Sequence, residues 1–175
     1  MNWKNLGTFV EIRSPWLTII GEKFLDNHEQ ILEYWRVEKA DSAVIITMQN
    51  NEFLLPVSMY RPGVGTATLD FPGGRIPQGE NPVTIVPEIL KRELGLEELG
   101  ATSITQLNSN GWAINSSFSN QKLYGFVAEI DPEISVNPEK IGGRYSTNKE
   151  GIKNLLADLN CLQCRSVLLE WSMNN

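Results

Sequence analysis

The ten-residue segment Phe71–Glu80, with the sequence FPGGRIPQGE, constrains the fold more than any other part of this chain. It contains a Pro-Gly-Gly turn, followed by a third glycine, Gly79, and a glutamate. A segment of helical composition comes next and ends at Glu93-Leu94-Gly95-Leu96. Glycine tolerates the positive φ angles of tight turns, so Gly73 and Gly74 predict such a turn. The whole region therefore predicts a loop, a helix and a second loop.

Segments rich in β-branched and aromatic residues predict strands on both sides of this region. Turn-forming residues at 26–29 and at Asn50-Asn51 separate several of them. The predicted strands cover residues 16–20, 31–37, 43–47, 53–60, 67–71, 104–107 and 123–130.

Two regions predict helices. Residues 88–94 form the first, with Pro87 near its first turn and an irregular start or short turn at Pro82. Residues 147–171 predict one broken helix or two, capped by Ser146 or Thr147, with a break near Asn160. This order of elements predicts an α/β (α+β) fold in which a mixed sheet lies between helices.

The segment from Gly74 to Leu96 resembles the signature of the Nudix hydrolases, which is G-x5-E-x7-R-E-U-x-E-E-x-G-U with U a bulky aliphatic residue. These enzymes cut diphosphate linkages with a divalent metal ion. The positions that match without a gap are Gly74, Glu80, Leu90, Glu93, Gly95 and Leu96. In the remaining positions, Glu88 replaces Arg, Ile89 replaces Glu, and Arg92 replaces the first Glu of the pair.

These departures bear on metal binding. Diphosphate hydrolysis uses divalent cations to neutralise charge and activate water, and Mg²⁺ prefers oxygen ligands. Carboxylates three and four residues apart lie on one helix face and can share such ions. Ile89 offers no oxygen, and Arg92 places a positive charge where the family has a ligand. A magnesium site of the usual kind is therefore not expected here.

The resemblance leaves three interpretations open. In the first, the helix has lost its metals but kept an i,i+4 ion pair between Glu88 and Arg92. In the second, Glu80, Glu88 and Glu93 hold Mg²⁺ or Mn²⁺, Glu80 and Glu93 carry the chemistry, and Arg92 contacts phosphate. The third shifts the alignment onto Arg92–Gly100, so that Glu97 and Glu98 take the closing pair. We prefer the alignment without a gap, because Gly95 predicts a helix end.

The resemblance extends beyond this segment. Residues 59–74, 116–121 and the closing helices are similar to ADP-ribose pyrophosphatases, which implies one Nudix domain over residues 1–175. In that interpretation, residues 41–175 form the core, and the strands within residues 1–40 build a homodimer interface. Arg61 and Arg75 are candidate phosphate contacts, although Arg61 can instead pair across the dimer. Trp112 or Phe118 is a candidate for stacking on a base, or packs in the core or a loop.

Composition narrows the partners and the location. A net charge of −6 and a pI of about 4.9 argue against a nucleic-acid-binding surface. No apolar run is long enough to span a bilayer, and the first residues lack the plan of a signal peptide, so we expect a cytoplasmic protein.

The two cysteines, Cys161 and Cys164, have a C-x-x-C spacing that can form a redox pair or half of a metal site. The surrounding residues 159–169 predict a helix, and the single histidine, His28, is far away in sequence. We therefore expect the pair to be structural.

Two functions follow from these features. The first is a metal-dependent Nudix hydrolase acting on a nucleoside diphosphate linked to another moiety, such as ADP-ribose. The matching positions Glu80 and Glu93 favour it. The second is a module of the same fold that binds a nucleotide or another protein without catalysis, and Ile89 and Arg92 favour it.

Overall fold

The computed structural model describes residues 3–96 and 101–175, which form an α+β fold of twelve strands and three α-helices. The strands are β1 (Lys4–Arg13), β2 (Thr18–Leu25), β3 (Ile31–Glu38), β4 (Ser42–Gln49), β5 (Glu52–Pro56), β6 (Met59–Arg61), β7 (Thr66–Thr68), β8 (Gly73–Arg75), β9 (Ala101–Gln106), β10 (Trp112–Ala113), β11 (Lys122–Ile130) and β12 (Ile141–Ser146). The helices are α1 (Val86–Leu94), α2 (Lys149–Asp158) and α3 (Leu162–Met173). None of the described helices is long and apolar enough to cross a membrane.

The chain divides into two compact units. The first unit comprises the chain up to Asp41 together with residues 113–122, and the second comprises residues 42–112 and 123–175. In the first unit, β1, β2 and β3 form an antiparallel sheet in that order. Strand β1 was not predicted.

In the first unit, Glu22 and Arg36 form an ion pair whose carboxylate is buried. Glu22 on β2 is buried, and its carboxylate accepts hydrogen bonds from Arg36 on β3 at 2.5 Å and from Asn5 on β1 at 2.8 Å. The hydrogen bond from Arg36 lowers the pKa of Glu22, although burial opposes that shift. Because all three strands contribute, this cluster holds the sheet in its register.

The second unit contains a mixed sheet with the order β10-β11-β4-β5-β12. Strands β4 and β11 run parallel, whereas β4 pairs antiparallel with β5 and with β8. Asn50 and Asn51 connect β4 to β5 with φ angles of 53° and 62°, the conformation of a tight hairpin turn. This confirms the predicted turn.

Helices cover both faces of this sheet, so the predicted fold class is confirmed. Ala43 and Ile45 on β4 belong to a buried cluster that includes the apolar face of α1. A Cβ on Gly125 of β11 would lie 3.3 Å from Val167 of α3, whereas the adjacent Phe126 belongs to the α1 cluster. Side chains alternate across a strand, so α1 and α3 lie on opposite faces.

Helix α1 ends where its sequence predicts and begins two residues before the predicted start, at Val86. A 3₁₀ turn, Pro82–Ile85, precedes it, and the side chain of Asn81 accepts the Val83 N–H at 3.2 Å. Its C-terminal cap is Gly95, with φ 71° in the left-handed region that glycine adopts at low cost.

Several predicted boundaries are wrong. The predicted strand 53–60 ends at Pro56, because proline lacks the N–H needed to continue a ladder, and a new strand begins at Met59. Strand β12 was missed. The closing region forms two helices, and α2 is capped by Asn148, whose side chain accepts the Gly151 N–H at 2.8 Å. Cys161 is not helical, since α3 begins at Leu162.

Candidate functional site

The Gly-rich turn brings its backbone against α1. Strand β8 pairs with β4, with Gly73 opposite Val44 and Gly74 opposite Ala43. A Cβ on Gly74 would lie 2.9 Å from Ile89 Cδ1, and a Cβ on Gly73 would lie 3.0 Å from the Ala43 carbonyl oxygen. Both glycines are therefore needed for close approach. The predicted positive φ is wrong for both, because neither is among the residues with positive φ.

Arg92 joins this turn to the helix. Its Nη2 donates hydrogen bonds to the Gly73 carbonyl oxygen and to Glu93 Oε1, each at 2.8 Å. The Arg92 side chain is 52% exposed and that of Glu93 is 15% exposed. The predicted ion pair between Arg92 and Glu88 does not form, because the Arg92 side chain contacts Glu93 and the Gly73 carbonyl of β8 instead.

Ile89 belongs to the core. It is 0% exposed and packs in the cluster that joins α1 to the sheet. Glu88, the preceding residue, is exposed, as is Glu80 in the turn after β8. Ile89, at the position where the family signature has a glutamate, therefore stabilises the packing of α1 against the sheet.

The acidic residues within 3–96 and 101–175 do not converge as a metal site would require. Among the described residues, the one group of three or more acidic, cysteine or histidine ligand atoms within 4.8 Å of one another consists of Asp70, Cys161 and Cys164. Glu80, Glu88 and Glu93 form no such group. The Nη2 atom of Arg92 donates to both the Gly73 oxygen and the Glu93 carboxylate, so a positive charge of the protein lies beside these two oxygens. The described side chains thus do not fit Mg²⁺ or Mn²⁺ at this position.

The two other candidate phosphate contacts lie near the Gly-rich turn. Arg61 on β6 pairs with Asp70, with Nε and Nη2 at 2.9 and 2.8 Å from Oδ2, and Thr68 donates to the same oxygen at 2.8 Å. Arg61 therefore has a partner within its own chain. Arg75 is exposed at the end of β8, opposite Ser42.

The two aromatic candidates belong to different units. Trp112 is half-buried in the second unit, and its ring lies 3.4 Å from the position of a Cβ on Gly125, on the α3 side of the sheet. Trp112 is thus not on the face that carries α1. Phe118 is exposed in the first unit, and its carbonyl oxygen accepts the Val37 N–H at 2.7 Å. A stacking role for either residue stays a prediction.

A cleft of about 610 Å³ opens at the other end of β4. Asn50, Asn51, Glu129 and Trp171 are among the residues that line it, and none of the predicted site residues is included. Its walls combine the hairpin turn with the end of α3. The cleft therefore offers no support for the predicted site.

Comparisons with known proteins identify the fold. No family model matches this chain, and no curated protein matches it. Among solved structures, the crystal structure of an ADP compounds hydrolase matches with a TM-score of 0.77 and 20% sequence identity. The match covers 99% of this chain and 94% of that one. The chain therefore has a Nudix-like fold.

Proposed function

We propose that this protein binds an ADP-type nucleoside diphosphate compound at the surface formed by β8 and α1, without a divalent metal ion. The observation that carries the proposal is the position of Arg92, whose Nη2 lies 2.8 Å from both the Gly73 oxygen and Glu93. A fixed positive charge of the protein thus lies beside the two oxygens. The similarity to an ADP compounds hydrolase over nearly the whole chain supports the class of ligand.

The chemistry of arginine suits this role. A guanidinium group carries five N–H donors in a planar fork and binds phosphate oxygens in pairs. Two contacts hold the Nη2 atom of Arg92, whereas its Nε and Nη1 donate no hydrogen bond to the described residues. Lys140 Nζ donates to the Arg92 carbonyl at 3.2 Å, which adds a second positive charge at the end of α1. Arg92 is paired with Glu93, and Lys140 supplies the further positive charge that favours a phosphate there without a bound metal ion.

Replacement of Arg92 by alanine is expected to weaken binding of ADP-ribose by about tenfold or more, because a hydrogen bond to a charged group contributes about 1.5–3 kcal/mol. Calorimetric titration in the presence of EDTA measures the loss. Arg92→Lys keeps the charge without the fork and is expected to bind with intermediate affinity.

Arg144→Ala is the matched control for this test. Arg144 is a similarly exposed arginine that pairs with Glu52, far from α1 in sequence. Its replacement is expected to leave the affinity for ADP-ribose unchanged. Equal losses in the Arg92 and Arg144 variants, or binding that requires Mg²⁺, would count against the proposed function.

A metal-dependent hydrolase is the second candidate. Glu93 favours it, because this glutamate matches the family signature. Its side chain is largely buried, and Arg92, which pairs with it, also donates a hydrogen bond to the Gly73 carbonyl oxygen. A product assay with ADP-ribose and Mg²⁺ or Mn²⁺ distinguishes the two candidates. Turnover that is lost in Glu93→Gln would establish the hydrolase and refute binding without catalysis.

We also propose that the chain forms a homodimer through the three-stranded sheet of the first unit. The Phe9 ring lies over Gly21 and against the ring of Trp35. A Cβ built on Gly21 would be 2.8 Å from the Phe9 ring. The strand register places Ile12 and Ile31 on this same face. These four apolar side chains are 40–64% exposed. Lys23 and Glu33 lie on the same face between Trp35 and Ile31 and form an exposed ion pair at 3.9 Å, so the apolar patch is centred on Phe9, Ile12 and Trp35. Exposed apolar patches are typical of protein–protein contacts.

Ile12→Glu is expected to convert the dimer to a monomer, because it places a charge in the apolar contact. Sedimentation equilibrium is expected to give twice the chain mass of 19.7 kDa for the native protein and 19.7 kDa for the variant. Val64→Glu, at an exposed valine in the second unit, is the control and should remain dimeric. A native monomer at micromolar concentration would refute the dimer.

A further inference from the structure

Three reactive side chains outside the proposed nucleotide site meet at the start of α3. Cys161 is the N-cap residue of this helix and Cys164 lies in its first turn, while Asp70 comes from the segment before β8. One ligand atom of each lies within 4.8 Å of the other two. The Cys164 Sγ faces Asp70 Oδ1 at 4.0 Å.

The two thiols differ in access. Cys164 is 2% exposed, whereas Cys161 is half-buried at the helix end. Cys161 has extended backbone angles, with φ −73° and ψ 117°, so it lies outside the helix rather than within it. An electrophile from solvent, such as a small disulfide, can therefore reach Cys161 and not Cys164.

The surroundings also distinguish the two thiols electrostatically. The hydrogen bond from the Cys164 thiol lowers the pKa of Cys161 to about 6, although burial opposes this shift. The Cys161 side chain does not form a regular helix-capping hydrogen bond. The nearby backbone N–H groups of Cys164 and Gln163 still lower its pKa and so favour the thiolate. The same hydrogen bond and burial raise the pKa of Cys164 well above its usual value. Cys161 is thus the more nucleophilic thiol.

A metal site explains this cluster less well. The Oδ2 atom of Asp70 accepts hydrogen bonds from Arg61 and Thr68, so this carboxylate is already paired with a positive charge. Adding a dication beside Arg61 would bring two positive groups together. Structural zinc sites use four protein ligands, and this group provides three.

We propose that Cys161 and Cys164 form a redox-active dithiol that reduces low-molecular-weight disulfides, with Asp70 accepting the proton of Cys164. Cys161 is the attacking thiol and Cys164 the resolving thiol. The two sulfurs already lie within 4.8 Å of each other, and side-chain rotation is enough to bring them to bonding distance, about 2.05 Å.

The reaction takes place in two steps. The Cys161 thiolate attacks one sulfur of R–S–S–R, the S–S bond breaks, and RS⁻ leaves and takes up the proton that Cys161 had released to water. Cys164 then gives its proton to Asp70 and attacks Cys161 Sγ, which breaks the mixed disulfide. The second RS⁻ leaves and takes up the proton from Asp70. Two cysteine thiols lose two electrons and form one disulfide, while R–S–S–R becomes two RSH.

Oxidised glutathione is the probe for the test, and the full chain is reduced before its addition. The native protein is expected to form an internal disulfide, detected by intact mass, with no lasting adduct. Cys164→Ala is expected to accumulate the glutathione adduct on Cys161, and Cys161→Ala to form none. Asp70→Asn is expected to slow the second step by about tenfold or more, so that the adduct persists.

A measurement on the native protein does not depend on these variants folding. Brief alkylation of the reduced protein should label Cys161 and leave Cys164 unlabelled, and peptide mapping after oxidation should show the two joined. Thiols that stay reduced in excess oxidised glutathione would overturn the proposal, as would equal labelling of both. So would stoichiometric Zn²⁺ that requires both cysteines and Asp70 and blocks oxidation.

Discussion

Ile89→Glu is expected to destabilise the fold by more than about 4 kcal/mol at neutral pH, although it restores the residue type of the family signature. Ile89 is 0% exposed and packs among the apolar residues of α1 and the sheet. Truncating such a side chain costs about 2–5 kcal/mol. An unpaired buried carboxylate adds the cost of leaving water. Against a typical stability of about 5–15 kcal/mol, this change will unfold much of the protein.

The loss of folding stability in Ile89→Glu should be larger at high pH than at low pH. Burial disfavours the charged form, so the introduced carboxyl group has a higher pKa in the folded protein than in the unfolded chain. The unfolded chain therefore releases this proton at lower pH. The extra cost is full above the folded pKa and disappears below the unfolded value of about 4.3. The variant should be less destabilised at pH 5 than at pH 8, relative to the native protein.

Urea unfolding followed by far-ultraviolet circular dichroism at the two pH values measures both effects. Ile89→Val is the control, with an expected loss of about 0.5–1.5 kcal/mol that does not change with pH. If Ile89→Glu matched Ile89→Val in stability, the carboxylate would have to reach solvent, and the assignment of residue 89 to the core would be wrong.

Gly151→Ala is expected to cost about 3 kcal/mol, although alanine in place of a helical glycine normally stabilises by about 0.5–1 kcal/mol. Gly151 lies in the first turn of α2. A Cβ there would be 2.0 Å from the Ser146 carbonyl oxygen and 2.7 Å from its carbonyl carbon. Both atoms belong to the backbone, so no side-chain rotation relieves the overlap. The end of β12 or the start of α2 has to shift.

Thermal unfolding of Gly151→Ala tests this expectation, with Gly63→Ala as the control. No atom lies within 4 Å of a Cβ built on Gly63, and its φ is not positive. Alanine there is expected to be neutral or to stabilise by up to about 1 kcal/mol. Equal melting temperatures for the two variants would show that the Ser146 backbone can move at little cost.

Part of the candidate site was predictable because it depends on local chemistry: α1 ends at Gly95, which adopts the left-handed cap conformation expected of it. Gly73 and Gly74 were predicted for a positive φ, but neither has one, and a Cβ there would instead crowd Ala43 and Ile89, which belong to other segments. The partner of Arg92 was not predictable. An i,i+4 pair with Glu88 satisfies the helix pattern, but the turn before α1 presents the Gly73 carbonyl to the guanidinium group. Glu97 and Glu98, on which the shifted alignment depends, lie outside the described residues.

By itself, the sequence determined the fold class, the irregular start of α1, the Asn50-Asn51 turn and the break near Asn160 in the closing helical region, because these follow from neighbouring residues and their φ preferences. It left open whether that region is one broken helix or two. Only the tertiary structure decided that Ile89 is a core residue and that Asp70 faces Cys164. It also decided which strands pair. Such outcomes depend on contacts between segments far apart in the chain, and local patterns do not specify those contacts.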